Sequence, residues 1–248
     1  MSENTLLASD SSIAYPCTSS PQTGAVIDRA SKVLYTSWPR FDHFTGGFRS
    51  SKITLIDGWD SSFIGELTSL LCVRAVEVFD SNVIYIDGGN STDPYMMADL
   101  CRGRGINERD VLSKILVSRS FTAYQLSTII NERLQYAIRE YDPTLLIVSN
   151  ITNLILDDAL RKVEAESILK RSLEKIKDLT SESDLITVVT NNSRRSSRRS
   201  PLQEILYNNV DVHHDDVDLI DLKFTPCNQR TLEEFGTEQW YGTYCTNI

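Results

Sequence analysis

The chain has 248 residues, 41% hydrophobic and 24% charged, with a formal net charge of −9. That balance suits one sizeable α/β domain of ordinary globular composition and excludes binding to nucleic acid by bulk charge, so any such contact needs a local basic patch. Five widely spaced cysteines (Cys17, Cys72, Cys101, Cys227, Cys245), with no C-x-x-C pair, point to free thiols in a reducing compartment rather than to disulfides or zinc.

Residues 1–30 are rich in Ser, Thr, Pro and Ala and read as an extended or mobile N-terminal arm; their acidic start and lack of a long apolar run are unlike a secretory signal. Strands and helices then alternate through a core domain over 31–230, followed by a C-terminal tail, 231–248. Lys52 to Ile56 reads as a buried strand, and Glu66 to Phe79 as a helix with Leu67, Leu70, Leu71, Val73, Ala75, Val76 and Val78 at its apolar positions. Val83 to Asp87 is a strand ended by Gly88-Gly89-Asn90, and Asp93-Pro94 opens a helix through Cys101. Ile115 to Arg119 is the next strand. Thr122 then caps a helix to about Glu140, with Leu126, Ile129, Ile130, Leu134 and Ala137 at helical spacing.

Thr144 to Val148 is apolar throughout, as inside a parallel sheet. The longer apolar stretch Leu145 to Leu156 is interrupted by Ser149, Asn150, Thr152 and Asn153 and is too short to span a bilayer. A charged helix is expected from about Asp157 to Leu179, with Leu160, Val163, Ile168, Leu169, Leu173 and Ile176 on its inner face. Leu185 to Thr190 is a fifth strand. Val210 to His213 and Val217 to Phe224 alternate and are expected to form an antiparallel pair at the sheet edge. The predicted fold is a three-layer α/β domain: a mainly parallel central sheet, helices on both faces, and an antiparallel edge extension.

The turn after the first long strand, Gly58-Trp59-Asp60-Ser61-Ser62-Phe63-Ile64-Gly65, sits where a phosphate loop belongs. Such a loop reads G-x-x-x-x-G-K-[ST]: its glycines let backbone N–H groups wrap phosphates, and its lysine meets their charge. Gly58 holds the first place, but Phe63, Ile64 and Gly65 stand where Gly, Lys and Ser/Thr belong. Ile64 cannot neutralise phosphate, and Phe63 would obstruct the backbone's approach.

Five strings, in order over roughly Ser31 to Phe224, resemble the core of the RecA/RadA recombinase family, especially archaeal RadA and its paralogues. They are Phe41 to Phe48 with Lys52-Ile53-Thr54, then Val83 to Asp87, Arg104 to Phe121, Leu145 to Leu154, and Val188 to Asn192. The resemblance implies a RecA-like fold. It also implies positions for a catalytic glutamate, here Gly89, and for a magnesium-holding aspartate, here Ser149. With Ile64 and Gly65 replacing the lysine and hydroxyl, four contributions to phosphoryl transfer are missing. The expectation is therefore a degenerate ATPase with no catalytic residues, no metal and no bound ATP. No helix-hairpin-helix domain is expected before the core. No Phe-x-x-Ala string, which the family's recombinases use to join protomers, is present. A homodimer or hetero-oligomer is expected in place of long filaments.

Arg194, Arg195, Arg198 and Arg199, spaced by serines, form the one basic cluster and fall where the resemblance places a DNA-contacting loop. Their chemistry suits salt-sensitive, sequence-independent phosphate contacts with single-stranded DNA, and a solvated loop or a dock for an acidic partner is the alternative. His213-His214 is expected in a polar hairpin turn and not at a metal, since neighbouring strand residues face opposite ways. Trp240, Tyr241 and Tyr244 could anchor a partner or cover the domain's own edge. Asp87 is expected to cap the turn at Gly88-Gly89.

The leading functional expectation is a non-catalytic RadA-like paralogue. It would serve recombination and repair by binding DNA, a recombinase, or both, with no membrane association. Its location would be cytoplasmic, and nucleoid-associated if it binds DNA. The alternatives are a KaiC-like structural or signalling adaptor without DNA binding, and a weak ATPase with an unorthodox site.

Overall fold

A computed structural model describes residues 32–58, 60–156, 160–192 and 201–215. The N-terminal arm, the C-terminal tail and the arginine cluster lie outside them. A short antiparallel pair, β1 (Val33–Leu34) and β2 (Phe48–Arg49), brackets helix α1 (Pro39–Thr45). Proline at the first turn of α1 and Gly46 at its left-handed C-cap set the helix bounds. The Asp42 carboxylate holds the approach to α1 by accepting from Thr36 N–H, Thr36 Oγ1 and Ser37 N–H, each at 2.8 Å.

The main sheet contains β3 (Lys52–Asp57), β4 (Asn82–Asp87), β5 (Ile115–Arg119), β6 (Pro143–Ser149), β7 (Ile186–Asn191) and β8 (Val212–Asp215). They run in the order β5-β4-β6-β7-β3-β8, and all pairs are parallel. Among the described residues the antiparallel element is the β1–β2 pair. The first strand of the expected edge pair is present as β8, which lies parallel to β3, with α8 (Pro201–Asn208) supplying the crossover a parallel strand requires. The second expected edge strand, Val217 to Phe224, lies outside the described residues.

Helices α2 (Ser61–Phe79), α3 (Pro94–Gly103) and α4 (Glu108–Ser113) pack on one face against Val83, Tyr85, Leu145, Ile147 and Val188. The other face, lined by Ile53, Leu55, Ile84, Ile86, Leu146 and Val148, carries four helices. These are α5 (Ala123–Thr128), α6 (Leu134–Tyr141), α7 (Lys162–Glu182) and α8, with a π turn, Ile129–Arg133, joining α5 to α6. Alternate residues of each strand therefore enter different cores, which explains why the strands read as almost unbroken apolar runs.

Asp93 and Thr122 cap their helices as their sequences predict. The charged helix begins later than expected, and Val163 is 79% exposed instead of facing inward. Ala165, Leu169, Leu173 and Ile176 form the buried stripe, with Leu160 and Ile168 partly buried beside it. A stripe starting at Ala165 leaves Val163 off the helical face that meets the sheet.

Candidate functional site

Because the strands are parallel, their C-terminal ends share one rim, where ligands bind in open α/β sheets. Register aligns polar terminators there: Asp87 pairs with Arg119 on one side and Ser149 on the other, and Asp57 pairs with Asn191 and Asp215. Two hydrogen-bonded clusters and one helix N-terminus make up this rim.

The helix N-terminus belongs to α2. In a phosphate loop the residues after the strand stay unwound so that their N–H groups converge on an anion. Here Ser61 to Gly65 are already helical. Asp60 is the N-cap, its carboxylate accepting from Ser62 N–H at 3.0 Å and Phe63 N–H at 3.1 Å. Asp60's own carbonyl accepts from Ile64 N–H at 3.1 Å. A fixed negative group thus holds the donors that a phosphate would need.

Phe63 does not fill the turn. Its ring lies 5.9 Å from that of Trp38 and 6.2 Å from that of Phe41, in the aromatic cluster around α1, and Ile64 is buried in the core. The obstruction expected of Phe63 therefore comes from Asp60. The reason is geometric: winding the helix early turns Phe63 and Ile64 inward. Below this turn Tyr85, buried on β4, places its hydroxyl 3.3 Å from Thr68 Oγ1 of α2, and burial pushes its phenol above the ordinary range.

The first cluster surrounds Asp87. Its carboxylate takes five hydrogen bonds: from Gly89 N–H (3.2 Å), Ser91 N–H (3.0 Å), Ser91 Oγ (3.3 Å), Thr92 N–H (3.0 Å) and Thr92 Oγ1 (2.5 Å). Burial pushes this carboxyl up, but the Thr92 hydroxyl and the N–H groups of Ser91, Thr92 and Gly89 together hold it below the usual carboxylate range. Arg119 Nε adds a contact at 3.7 Å. Asp87 is thus the turn cap that its position beside Gly88-Gly89 suggests. Ser149 and Ser91 place their hydroxyl oxygens 2.6 Å apart, so a hydroxyl pair occupies the metal-side aspartate position.

Gly89 is closed to any side chain. A Cβ built on it would lie 2.8 Å from both Cβ and Cγ of Asn150, and nearer still to Nδ2. Asn150 is itself held with φ of 51°, its N–H donating to Thr190 Oγ1 at 3.0 Å and its side chain reaching Ser149 Oγ at 3.4 Å. A glutamate at position 89 would need Asn150 to move.

The second cluster joins β3, β7, α8 and the turn after β6. Asp57 is 2% exposed. It accepts from Asn191 Nδ2 at 3.0 Å and from the Tyr207 hydroxyl at 2.6 Å. The Thr152 hydroxyl in turn donates to Asn191 Oδ1.

Of the residues singled out in the sequence, Gly58, Phe63, Ile64, Gly65, Gly89 and Ser149 lie at or beside this rim. Arg194, Arg195, Arg198, Arg199, Trp240, Tyr241 and Tyr244 fall outside the described residues. His213 and His214 occupy β8 and not a hairpin turn, because α8 delivers the chain into a parallel strand. His213 meets Tyr207 at 5.2 Å between ring centroids and His214 meets Phe44 at 5.5 Å. Among the described residues no three His, Cys, Asp or Glu side chains gather in a way that could hold a metal ion. Sequence reasoning passed over Asp60, Asn150, Asp57 and Tyr207. Asp60 carries a readable signal, an N-cap aspartate before two serines, whereas the other three act through partners distant in the chain.

The residues present do not fit a magnesium–triphosphate. The phosphate donors are taken by Asp60, the lysine position is buried isoleucine, and the base position is sterically closed. Fold and rim together define a RecA-like domain. Consistent with this, the chain matches the Rad51 family model over residues 32–202, well over half its length, and it belongs to that family of recombination- and repair-related proteins. A search of curated proteins finds no match. No helix among the described residues is long and apolar enough to cross a membrane.

Proposed function

We propose that this chain is a non-catalytic RadA-like paralogue, an accessory or regulatory factor in recombination and repair that binds single-stranded DNA, a recombinase protomer, or both. The observation that carries the reading is the Asp60 cap, which places a carboxylate on the very N–H groups that would hold a phosphate. A second anion there would face electrostatic repulsion and lack donors. The closed position at Gly89 and the serine at 149 support the same conclusion, since phosphoryl transfer depends on positioned charge. DNA contact is assigned to Arg194, Arg195, Arg198 and Arg199 through phosphate neutralisation. The working form is a homodimer or a hetero-oligomer with a recombinase.

Two measurements test this. Millimolar Mg-ATP should leave the thermal midpoint unchanged, whereas a ligand at about 100 times its Kd adds roughly 2.7 kcal/mol; a clear upward shift sinks the pseudo-ATPase reading. Titration of labelled single-stranded DNA at low and moderate salt should show affinity that falls when the four arginines become alanine. Unchanged affinity removes the DNA half of the proposal. The net charge of −9 favours a second reading, a KaiC-like adaptor without a DNA role. Co-purification with a signalling or motility component, and not with DNA or a recombinase, would select it.

A further inference from the structure

Helices α5 and α7 lie on the same face of the sheet, and a groove of about 580 Å³ opens between them. Tyr124 and Ser127 of α5 and Val163 and Ile168 of α7 line it, together with Arg161 and Arg171. Its walls are fixed. The Tyr124 hydroxyl donates to Glu164 Oε1 at 2.6 Å across the two helices, and Asn131 Nδ2 of the π turn donates to the Ser127 carbonyl at 2.9 Å. The apolar part faces water: Tyr124 is 57% exposed, and Val163, which the helical pattern places inside, is 79% exposed. Arg161 and Arg171 are exposed too, and neither enters an ion pair among the described residues. The one acidic residue lining the groove, Glu164, is already engaged by Tyr124.

Two unpaired cations beside an apolar floor suit an acidic segment that carries an aromatic side chain. DNA suits the groove less, since two cations neutralise few phosphates and both Glu164 and the net charge of −9 oppose them. The chain itself contains such a segment. Residues 231–248 lie outside the described residues; their sequence holds Glu233, Glu234 and Glu238, no basic residue, and Phe235, Trp240, Tyr241 and Tyr244. The spacing agrees: ten residues of helix set Arg161 and Arg171 roughly 15 Å apart, and extended chain sets Glu234 and Glu238 roughly 13 Å apart with Phe235 between them. The reach agrees as well. β8 ends at Asp215 on the rim where α5 and α7 begin, and residues 216–232 can span up to roughly 60 Å, about twice the length of α7.

We infer that residues 233–241 dock in this groove of their own chain, Glu234 and Glu238 meeting Arg161 and Arg171 while Phe235 covers Tyr124 and Val163. The inference stands apart from the DNA and nucleotide readings above.

The test uses the full chain and a fluorescein-labelled synthetic peptide of residues 231–248, followed by anisotropy. In wild type the tethered segment competes at an effective concentration in the millimolar range, so added peptide should bind poorly. Two tail variants free the groove by different routes, Phe235→Ala with Trp240→Ala and Glu234→Lys with Glu238→Lys, so the outcome does not hang on one variant folding. Each should bind the peptide at least about tenfold more tightly than wild type. Adding Arg161→Glu and Arg171→Glu to the first should cost about tenfold of that affinity, and a peptide carrying Glu234→Lys and Glu238→Lys should recover it. Both arginines are exposed, so this reversal should leave the thermal midpoint in place.

Equal peptide affinity in wild type and in both tail variants overturns the inference, since the groove would not then be filled by its own chain. Failure of both tail variants to bind, or binding that the arginine reversal leaves intact, also overturns it, because the segment would not recognise this surface. A wild-type dimer in sedimentation that both tail variants convert to monomer assigns the segment to a second copy and sinks same-chain docking. Labelled oligothymidine that loses affinity on the arginine reversal, with the peptide unaffected, gives the groove to DNA instead.

Discussion

Replacing Gly89 with alanine tests whether the glutamate position is truly closed. The added methyl carbon would sit 2.8 Å from Asn150 Cβ and Cγ, where relaxed carbon contacts need about 3.5–4.0 Å. Asn150 cannot simply step back, because its N–H is bonded to Thr190 and its backbone is fixed at a φ of 51°. Overpacking of this kind costs about 1–3 kcal/mol. At a central value of about 2 kcal/mol, and about 2–4 °C per kcal/mol for a domain of this size, the thermal midpoint should fall by about 4–8 °C. Asn150→Gly removes the obstructing side chain and suits the left-handed backbone. The double variant should therefore recover most of the loss, with a coupling on the order of 1 kcal/mol or more. Differential scanning calorimetry of the four proteins reads this directly. A Gly89→Ala midpoint equal to wild type, or a double variant with purely additive effects, refutes the steric argument and reopens the position to a glutamate.

Other outcomes follow from the same geometry. Asp60→Ala should cost about 0.5–2 kcal/mol by removing the cap of α2, as read from urea midpoints, and a neutral effect would show that the cap is unimportant. Asp87 has its pKa below the unfolded value of about 3.9, so its contribution is complete above that pH and fades as pH falls through the folded value. Urea titrations from pH 6 down to pH 3 should accordingly show a smaller acid-side loss in Asp87→Asn than in wild type, and parallel curves would contradict that. On α7, Leu169→Ala should cost about 2–5 kcal/mol whereas Val163→Ala stays within about 0.5 kcal/mol, and similar losses would mean that the buried stripe has been placed on the wrong face.

Much of the fold was legible because its strands are apolar on both faces. Ile53 to Ile56, Val83 to Ile86 and Leu145 to Val148 read as buried parallel strands, and Asp93 and Thr122 marked helix starts through local capping chemistry. The direction of β8 was not legible, since a four-residue strand carries no sign of whether its partner runs parallel or antiparallel. The face of α7 was misread at Val163 because hydrophobicity alone does not tell a surface valine from a core one.

At the site, the sequence by itself determined the residue types: isoleucine at 64, glycine at 65 and 89, and serine at 149. None of these side chains carries a charge in any fold. What surrounds them was decided only by tertiary structure. The closure of Gly89 depends on how β6 approaches β4, and the Asp57–Tyr207 bond joins residues 150 positions apart. Such contacts arise when packed layers bring strand ends into register, and no local pattern encodes that meeting.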